Sequence, residues 1–132
     1  MINKDEYVAR ENAKPFLKWA GGKTQLISEI EKNLPKSVVS RDFTYIEPFV
    51  GSGAVLFRLF NNYHRLKRAV INDVNEDLIN TYKSVQSSPQ ELISILGVLQ
   101  DEYHSFENSE EQNKEYYYQK RVLFNQRKHG QT

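Results

Sequence analysis

Cysteine is absent from this 132-residue chain, which excludes disulfides and thiolate metal sites and leaves the redox compartment open. Proline is scarce. Pro15, Pro35, Pro48 and Pro89 all stand isolated, so no Pro-Pro pair occurs anywhere in the sequence. No apolar run approaches the length of a membrane span, and the opening MINKDEYVARENAK lacks the apolar core of a secretory signal. A soluble, cytoplasmic protein with no membrane partner is expected. An excess of either charge is also missing: 18 basic and 17 acidic residues leave a formal net charge of +1, which selects no partner class. Internal repeats and low-complexity tracts are absent. The length suits one domain with a real core, though it is small for a complete nucleotide-dependent enzyme.

What is present centres on Tyr45 to Asp73, YIEPFVGSGAVLFRLFNNYHRLKRAVIND. The run Phe43-Thr44-Tyr45-Ile46 reads as a strand that meets Glu47 and Pro48, turns through Gly51-Ser52-Gly53, and continues at helical spacing in Val55, Leu56, Leu59 and Phe60. A second strand, Ala69-Val70-Ile71, stops at Asn72-Asp73. Glycines without Cβ let the main chain turn tightly and let a ligand lie against it. An acid at the end of the neighbouring strand, about 20 residues beyond the glycines, is placed to accept hydrogen bonds from a ribose diol. The plain alternative is an ordinary tight turn, with Asp73 capping the next helix and Glu76 completing a capping box.

Residues 1 to about 13 read as a polar, flexible lead-in. Lys14 to Ala20 form a short extended segment that includes Trp19 and breaks at Gly21-Gly22; Lys23-Thr24 open a helix with Leu26, Ile27, Ile30 and Leu34 on one face, ended by Pro35. A cation and free N–H groups at such a helix start attract a carboxylate or phosphate. Gly22-Lys23-Thr24 is not a P-loop, because Leu17 stands where its first glycine is needed. His64, Arg65, Lys67 and Arg68 read as a solvated loop, with contact to nucleic-acid phosphates left open as the alternative.

Beyond Asp73 a helix runs from Asn75 to about Val85, with Leu78, Ile79, Tyr82 and Val85 inward. Ser88 as cap, Pro89 and Glu91 announce another helix carrying Leu92, Ile93, Ile95, Leu96 and Leu99, with Gly97 inside it. Residues 107–113 form a polar break before a last helix from about Lys114 to Asn125. No acid follows Glu115 there, while Lys120, Arg121, Arg127, Lys128 and His129 accumulate. Such a basic, tyrosine-bearing helix can track phosphates and stack on bases, or can simply be a solvated face.

Taken together and in this order, PFLKWAGGK, YIEPFVGSGAVLF and INDVNEDLI resemble the Dam-type adenine-N6 DNA methyltransferases. The resemblance covers about Lys14 to Ser84 well. It extends loosely to Asn125, whose spacing with Tyr117 and Arg121 is similar to the start of the family's recognition region. It implies an α/β fold: the N-terminal part of a Rossmann-like S-adenosylmethionine-dependent methyltransferase over residues 14–86, then the helical start of a target-recognition region over residues 87–132. It also implies S-adenosylmethionine as cofactor, double-stranded DNA as partner and no metal. On that reading Trp19, Ala20 and Gly21 would border the methionine end of the cofactor, with Lys23 near its carboxylate. Glu47, Phe49, Gly51 and Gly53 would form the turn under it. Asp73 would hold the ribose hydroxyls, and Val74 would offer an apolar surface to the adenine. Arg121, Asn125, Arg127 and Lys128 would be the DNA-binding candidates.

The family's Asp/Asn-Pro-Pro-aromatic catalytic run is missing, so no residue of this chain is assigned as catalytic. Two readings follow. One is the N-terminal, inactive fragment of an enzyme that methylates N6 of a flipped adenine, whether in a restriction-modification, solitary or phage-borne role. The other is a non-catalytic module or a subunit completed by a second polypeptide. They are separated by whether the reading frame continues past Thr132. An unfinished sheet predicts poor stability or self-association for the chain alone. A dinucleotide-dependent oxidoreductase fails because Leu56 stands where its third glycine belongs.

Overall fold

A computed structural model describes residues 12–18, 26–106 and 109–130. The chain divides into two compact units, Met1–Tyr82 and Lys83–Thr132. The first contains helix α1 (Ile27–Lys32), a 3-10 turn (Lys36–Val39), strand β1 (Phe43–Glu47), helix α2 (Ala54–Asn62), strand β2 (Leu66–Ile71) and most of helix α3 (Glu76–Ser87). The second contains helices α4 (Pro89–His104) and α5 (Glu110–His129).

β1, α2 and β2 form a βαβ unit in which the strands pair in parallel. Phe43 faces Leu66 and Thr44 faces Arg68, so Lys67 is an extra residue in β2, and from there the register runs evenly to Glu47 opposite Ile71. Lys67 and Arg68 therefore belong to a strand rather than the expected loop, although both remain exposed. The reason is that backbone pairing with β1 is indifferent to the basic side chains, which point into solvent. Arg65 lies just before the strand and pairs with Asp42 at 3.3 Å.

Alternation within β1 separates the sheet's two faces. Phe43, Tyr45 and Glu47 are covered or partly so, whereas Thr44 and Ile46 are exposed. The core lies on the covered side: Val38, Val50, Ala54, Val55, Leu56, Leu59 and Leu78 are buried, and Leu59 is 1% exposed. α2 supplies four of these at helical spacing, as its sequence pattern predicts, but Phe60 lies outside the buried stripe and is half exposed. Arg58 of α2 reaches Glu31 of α1 with two bonds of 3.0 and 3.2 Å. Ile46 and its partner Val70 lie on the open face, 68% and 40% exposed.

Helix ends account for most of the differences from the sequence expectation. α5 begins at Glu110, inside the expected polar break, because Ser109 caps it by accepting the Gln112 N–H and two glutamates occupy its positive end. Ser88 does precede α4, but its side chain makes no capping bond, so the expected capping box is not formed. α4 continues through Gly97 without a break. Its apolar residues Ile93, Ile95 and Leu96 are exposed, as is Val85, expected inward, at the end of α3. These helices meet few neighbours among the described residues, so spacing alone does not bury them. α4 and α5 are joined by Glu102, which accepts a bond from the Tyr116 hydroxyl and pairs with Lys120 at 3.3 Å.

At the end of the expected lead-in the chain is already tied to α2. Ala13 is held by the Asn61 carboxamide, which accepts its N–H at 3.1 Å and donates to its carbonyl at 2.8 Å. Residues 1–11 lie outside the described residues.

Two substitutions distinguish the two faces of the sheet. Leu59→Ala leaves a hole in a core with few members and is expected to cost about 2–5 kcal/mol. Ile46→Thr on the open face is expected to change stability by less than about 0.5 kcal/mol. Urea unfolding followed by circular dichroism measures both.

Candidate functional site

The strands bring the glycine turn and the acid together by extending their ladder past their ends. Asn72 donates its N–H to the Glu47 carbonyl at 2.8 Å, and Val50 donates to the Asn72 carbonyl at 2.9 Å. Gly51 thereby arrives beside Asp73, and its N–H donates to Asp73 Oδ2 at 2.9 Å. The other carboxylate oxygen, Oδ1, accepts the Asn75 N–H at 3.0 Å.

Asp73 is not the cap of α3. That task falls to Asn75, whose side-chain oxygen accepts the N–H groups of Asp77 and Leu78 at 3.0 and 3.3 Å. The capping alternative is thus filled by a different residue, and the Asp73 carboxylate faces the turn.

Both glycines use backbone conformations that favour glycine. Gly51 has φ +54° and Gly53 has φ +83°, and Gly53 precedes α2, accepting the Phe57 N–H at 2.8 Å. Their surroundings differ. A Cβ at Gly53 would lie 2.6 Å from the Tyr82 hydroxyl and 2.7 Å from the Phe57 ring, so this glycine is demanded by packing. A Cβ at Gly51 would meet nothing within 4 Å, so here the backbone borders open space. Phe49, two residues before Gly51, and Val74, next to Asp73, are 66% and 87% exposed.

Two tyrosines complete the arrangement. The Tyr82 hydroxyl donates to the Gly51 carbonyl at 3.0 Å, and its ring meets Phe16 edge-on at 5.2 Å between centroids. Burial pushes the Tyr82 phenol up to about 12, with the negative charges of Glu47 and Asp73 adding to the shift. Tyr45 is raised as well, first by burial and then by its hydrogen bond to Glu47 and that carboxylate's charge. Glu47 itself is 6% exposed, a buried acid among apolar core residues.

Of the residues singled out in the sequence, Gly51, Gly53, Asp73, Phe49, Val74 and Glu47 therefore cluster at the ends of β1 and β2. Trp19, Ala20, Gly21 and Lys23 lie outside the described residues. Sequence reasoning missed Asn75 as the cap, Asn61 as the anchor of Ala13, and Tyr82 as a turn contact. The available signal for Tyr82 was its place on the inward stripe of α3, where a buried phenol needs an acceptor.

In the helical unit, Arg121, Asn125 and Lys128 fall on one face of α5 with Lys114 and Tyr117, given about 100° of turn per residue, whereas Arg127 lies on another. Arg121, Asn125, Arg127 and Lys128 are all exposed. Lys114 and Tyr117 also line a hollow of about 600 Å³ with Tyr103, Glu110 and Asn113. Among the described residues there is no group of three or more potential metal ligands, and no helix is long and apolar enough to cross a membrane.

A parallel βαβ unit whose first strand runs through left-handed glycines into a helix, with an acid at the end of the second strand, defines the class: a Rossmann-like α/β core followed by helices. Within that class, the family model for D12 class N6 adenine-specific DNA methyltransferases matches residues 19–132, and the chain belongs to this family. It is 52% identical over 116 residues to the type II methyltransferase M.MjaIII of Methanocaldococcus jannaschii, covering 87% of this chain and 39% of that protein. It is 40% identical over 106 residues to the type II methyltransferase M1.LlaDCHI of Lactococcus lactis subsp. cremoris, covering 80% and 31%. It is 38% identical over 112 residues to a DNA adenine methylase of Haemophilus influenzae, covering 85% and 34%. The chain thus spans between about a third and two fifths of the length of these relatives. No solved structure matches it.

The tyrosine protonation gives a pH prediction. Folded Tyr82 keeps its proton up to about 12, whereas the unfolded phenol loses it near 10.0. Between these values the unfolded state binds fewer protons, so stability falls as pH rises. Below pH 10 both states are protonated and this contribution is fully present. The melting temperature of the chain is expected to fall from pH 10 towards 12, less steeply in Tyr82→Phe than in the unsubstituted chain.

Proposed function

We propose that this chain carries the S-adenosylmethionine-binding part of a cytoplasmic adenine-N6 DNA methyltransferase, with residues 14–86 holding the cofactor and residues 87–132 beginning the DNA target-recognition region. The observation that carries the reading is the closure of the Gly51 N–H on the Asp73 carboxylate at 2.9 Å, with Asn75 rather than Asp73 capping α3. The residues fit the group. Asp73 is an acceptor with about four lone-pair sites in two oriented oxygens, suited to a ribose diol. Open space beside Gly51 admits a ligand against the backbone, and exposed Val74 and Phe49 offer apolar surface for a purine.

When bound, S-adenosylmethionine supplies an electrophilic methyl on a sulfonium, open to in-line attack by the adenine amine without metal or covalent enzyme intermediate. The contribution of this chain is binding and orientation. Asp73 fixes the nucleoside end, and the turn under Glu47, Phe49, Gly51 and Gly53 sets the floor. Trp19, Ala20, Gly21 and Lys23 are assigned to the methionine end by family resemblance. The sequence contains no Pro-Pro pair, so the groups that accept the adenine amine's hydrogen bonds and stack on the flipped base are not supplied by these 132 residues. The isolated chain is proposed to bind cofactor without transferring its methyl. Double-stranded DNA would meet the α5 face carrying Arg121, Asn125 and Lys128, and Arg127, on another face of the helix, would reach it only where the duplex wraps round α5.

Calorimetric titration of the chain with S-adenosylmethionine tests the first part. Saturable binding that Asp73→Ala weakens at least tenfold is expected, with no methyl transfer to DNA. Absence of binding by a folded wild-type chain overturns the cofactor assignment. For the DNA face, Arg121→Gln is expected to weaken duplex binding and reduce the slope of log affinity against log salt by about one, the loss of one phosphate contact. An unchanged slope removes Arg121 from the interface.

A further inference from the structure

The backbone of Gly51 is held on both sides by side chains distant in sequence. Its N–H is taken by Asp73, 22 residues on, and its carbonyl by the Tyr82 hydroxyl, 31 residues on. The same hydroxyl sits where a Cβ on Gly53 would collide with it, so one phenol oxygen bears on both left-handed residues of the turn. The Tyr82 ring in turn meets Phe16, three residues beyond Ala13, whose backbone is clasped by Asn61.

We infer that Tyr82 is a positioning residue: by holding the Gly51 carbonyl it sets the shape of the glycine turn, and thereby the surface offered to the cofactor, without touching the cofactor itself. The inference rests on the cofactor reading of the turn, but its first consequence concerns the unliganded chain. On its Cβ side Gly51 meets open space, so its backbone is restrained by bonds: the ladder bond of the neighbouring Val50 to Asn72 brings it into place, and the two side-chain bonds fix its N–H and its carbonyl. Removing the Tyr82 hydroxyl frees the Gly51–Ser52 peptide plane to rotate and leaves its part-buried carbonyl without this donor.

The test compares the unsubstituted chain with Tyr82→Phe, which keeps the ring against Phe16 and deletes only the donor. A third chain carries 4-aminophenylalanine at position 82, restoring a donor at the same place. In Tyr82→Phe, hydrogen exchange of the amides of residues 50–53 is expected to rise at least tenfold while β2 amides are unchanged, and S-adenosylmethionine affinity is expected to fall about tenfold. The 4-aminophenylalanine chain is expected to recover most of both. A merely structural role would not give this localised loss and donor-specific rescue. Unchanged exchange in the turn, or a 4-aminophenylalanine chain that behaves like Tyr82→Phe, overturns the inference. A chain that shows the exchange pattern but never binds S-adenosylmethionine supports the hold on the turn and defeats only the cofactor reading. Should Tyr82→Phe fail to fold, nuclear Overhauser contacts between the Tyr82 ring and the Gly53 α-protons in the unsubstituted chain carry the test, and their absence overturns it.

Discussion

The feature on which the rest of the first unit depends is the backbone of Gly51. It lies past the end of β1, in a conformation that most side chains disfavour, and must be placed next to the end of β2 for the turn to close. Ladder bonds through Asn72 bring it there, and bonds to Asp73 and Tyr82 keep it there. The order of elements follows from this. β2 must lie parallel and adjacent to β1 so that both carboxyl ends meet, α2 must leave the turn at once so that Gly53 begins it, and α3 must return so that Tyr82 reaches the turn.

The electrostatics follow the same geometry. A buried glutamate and a second carboxylate lie near the strand ends, and two tyrosines keep their protons under that influence. A protonated phenol donates and a phenolate does not. The acids therefore reinforce the state in which Tyr82 can bond to the Gly51 carbonyl and Tyr45 to Glu47. Negative charge near the turn thus supports the donors that shape it.

Much of this was legible in the sequence because its signals are local. Gly51-Ser52-Gly53 between a β-branched run and a helical stripe specifies a strand, turn and helix without reference to the rest of the chain, and Asp73 is found by counting from it. What was not legible depends on partners far apart. Nothing near Tyr82 shows that its hydroxyl ends on a carbonyl 31 residues earlier, and nothing near Asn61 shows that it clasps Ala13. The start of α5 was misplaced for a different reason. The Ser109 and Gln112 pair was a local signal for a helix start, but the polar composition of residues 107–113 outweighed it. On α3, apolar spacing placed Val85 inward, yet burial requires a neighbour, and Val85, like Ile93, Ile95 and Leu96 of α4, has too little covering it among the described residues.

The exposed Ile46 and Val70 pair bears on how separable the site is from the completeness of the fold. Parallel strands usually have both faces covered, and here the described residues cover one. Uncovered apolar surface lowers stability, since each apolar side chain left in water forgoes about 1.5–3 kcal/mol of burial. The turn, however, is fixed by hydrogen bonds at the strand ends and by residues whose apolar parts pack on the covered side: Val50, Ala54 and Leu78 are all buried. None of those bonds requires a layer over Ile46 and Val70. A cover on the open face would therefore raise the free energy of unfolding without being needed to shape the turn. Loss of a cover over Ile46 and Val70 and loss of the turn's shape are for this reason distinct effects: the first acts on stability through apolar burial, the second through the bonds to Asp73 and Tyr82.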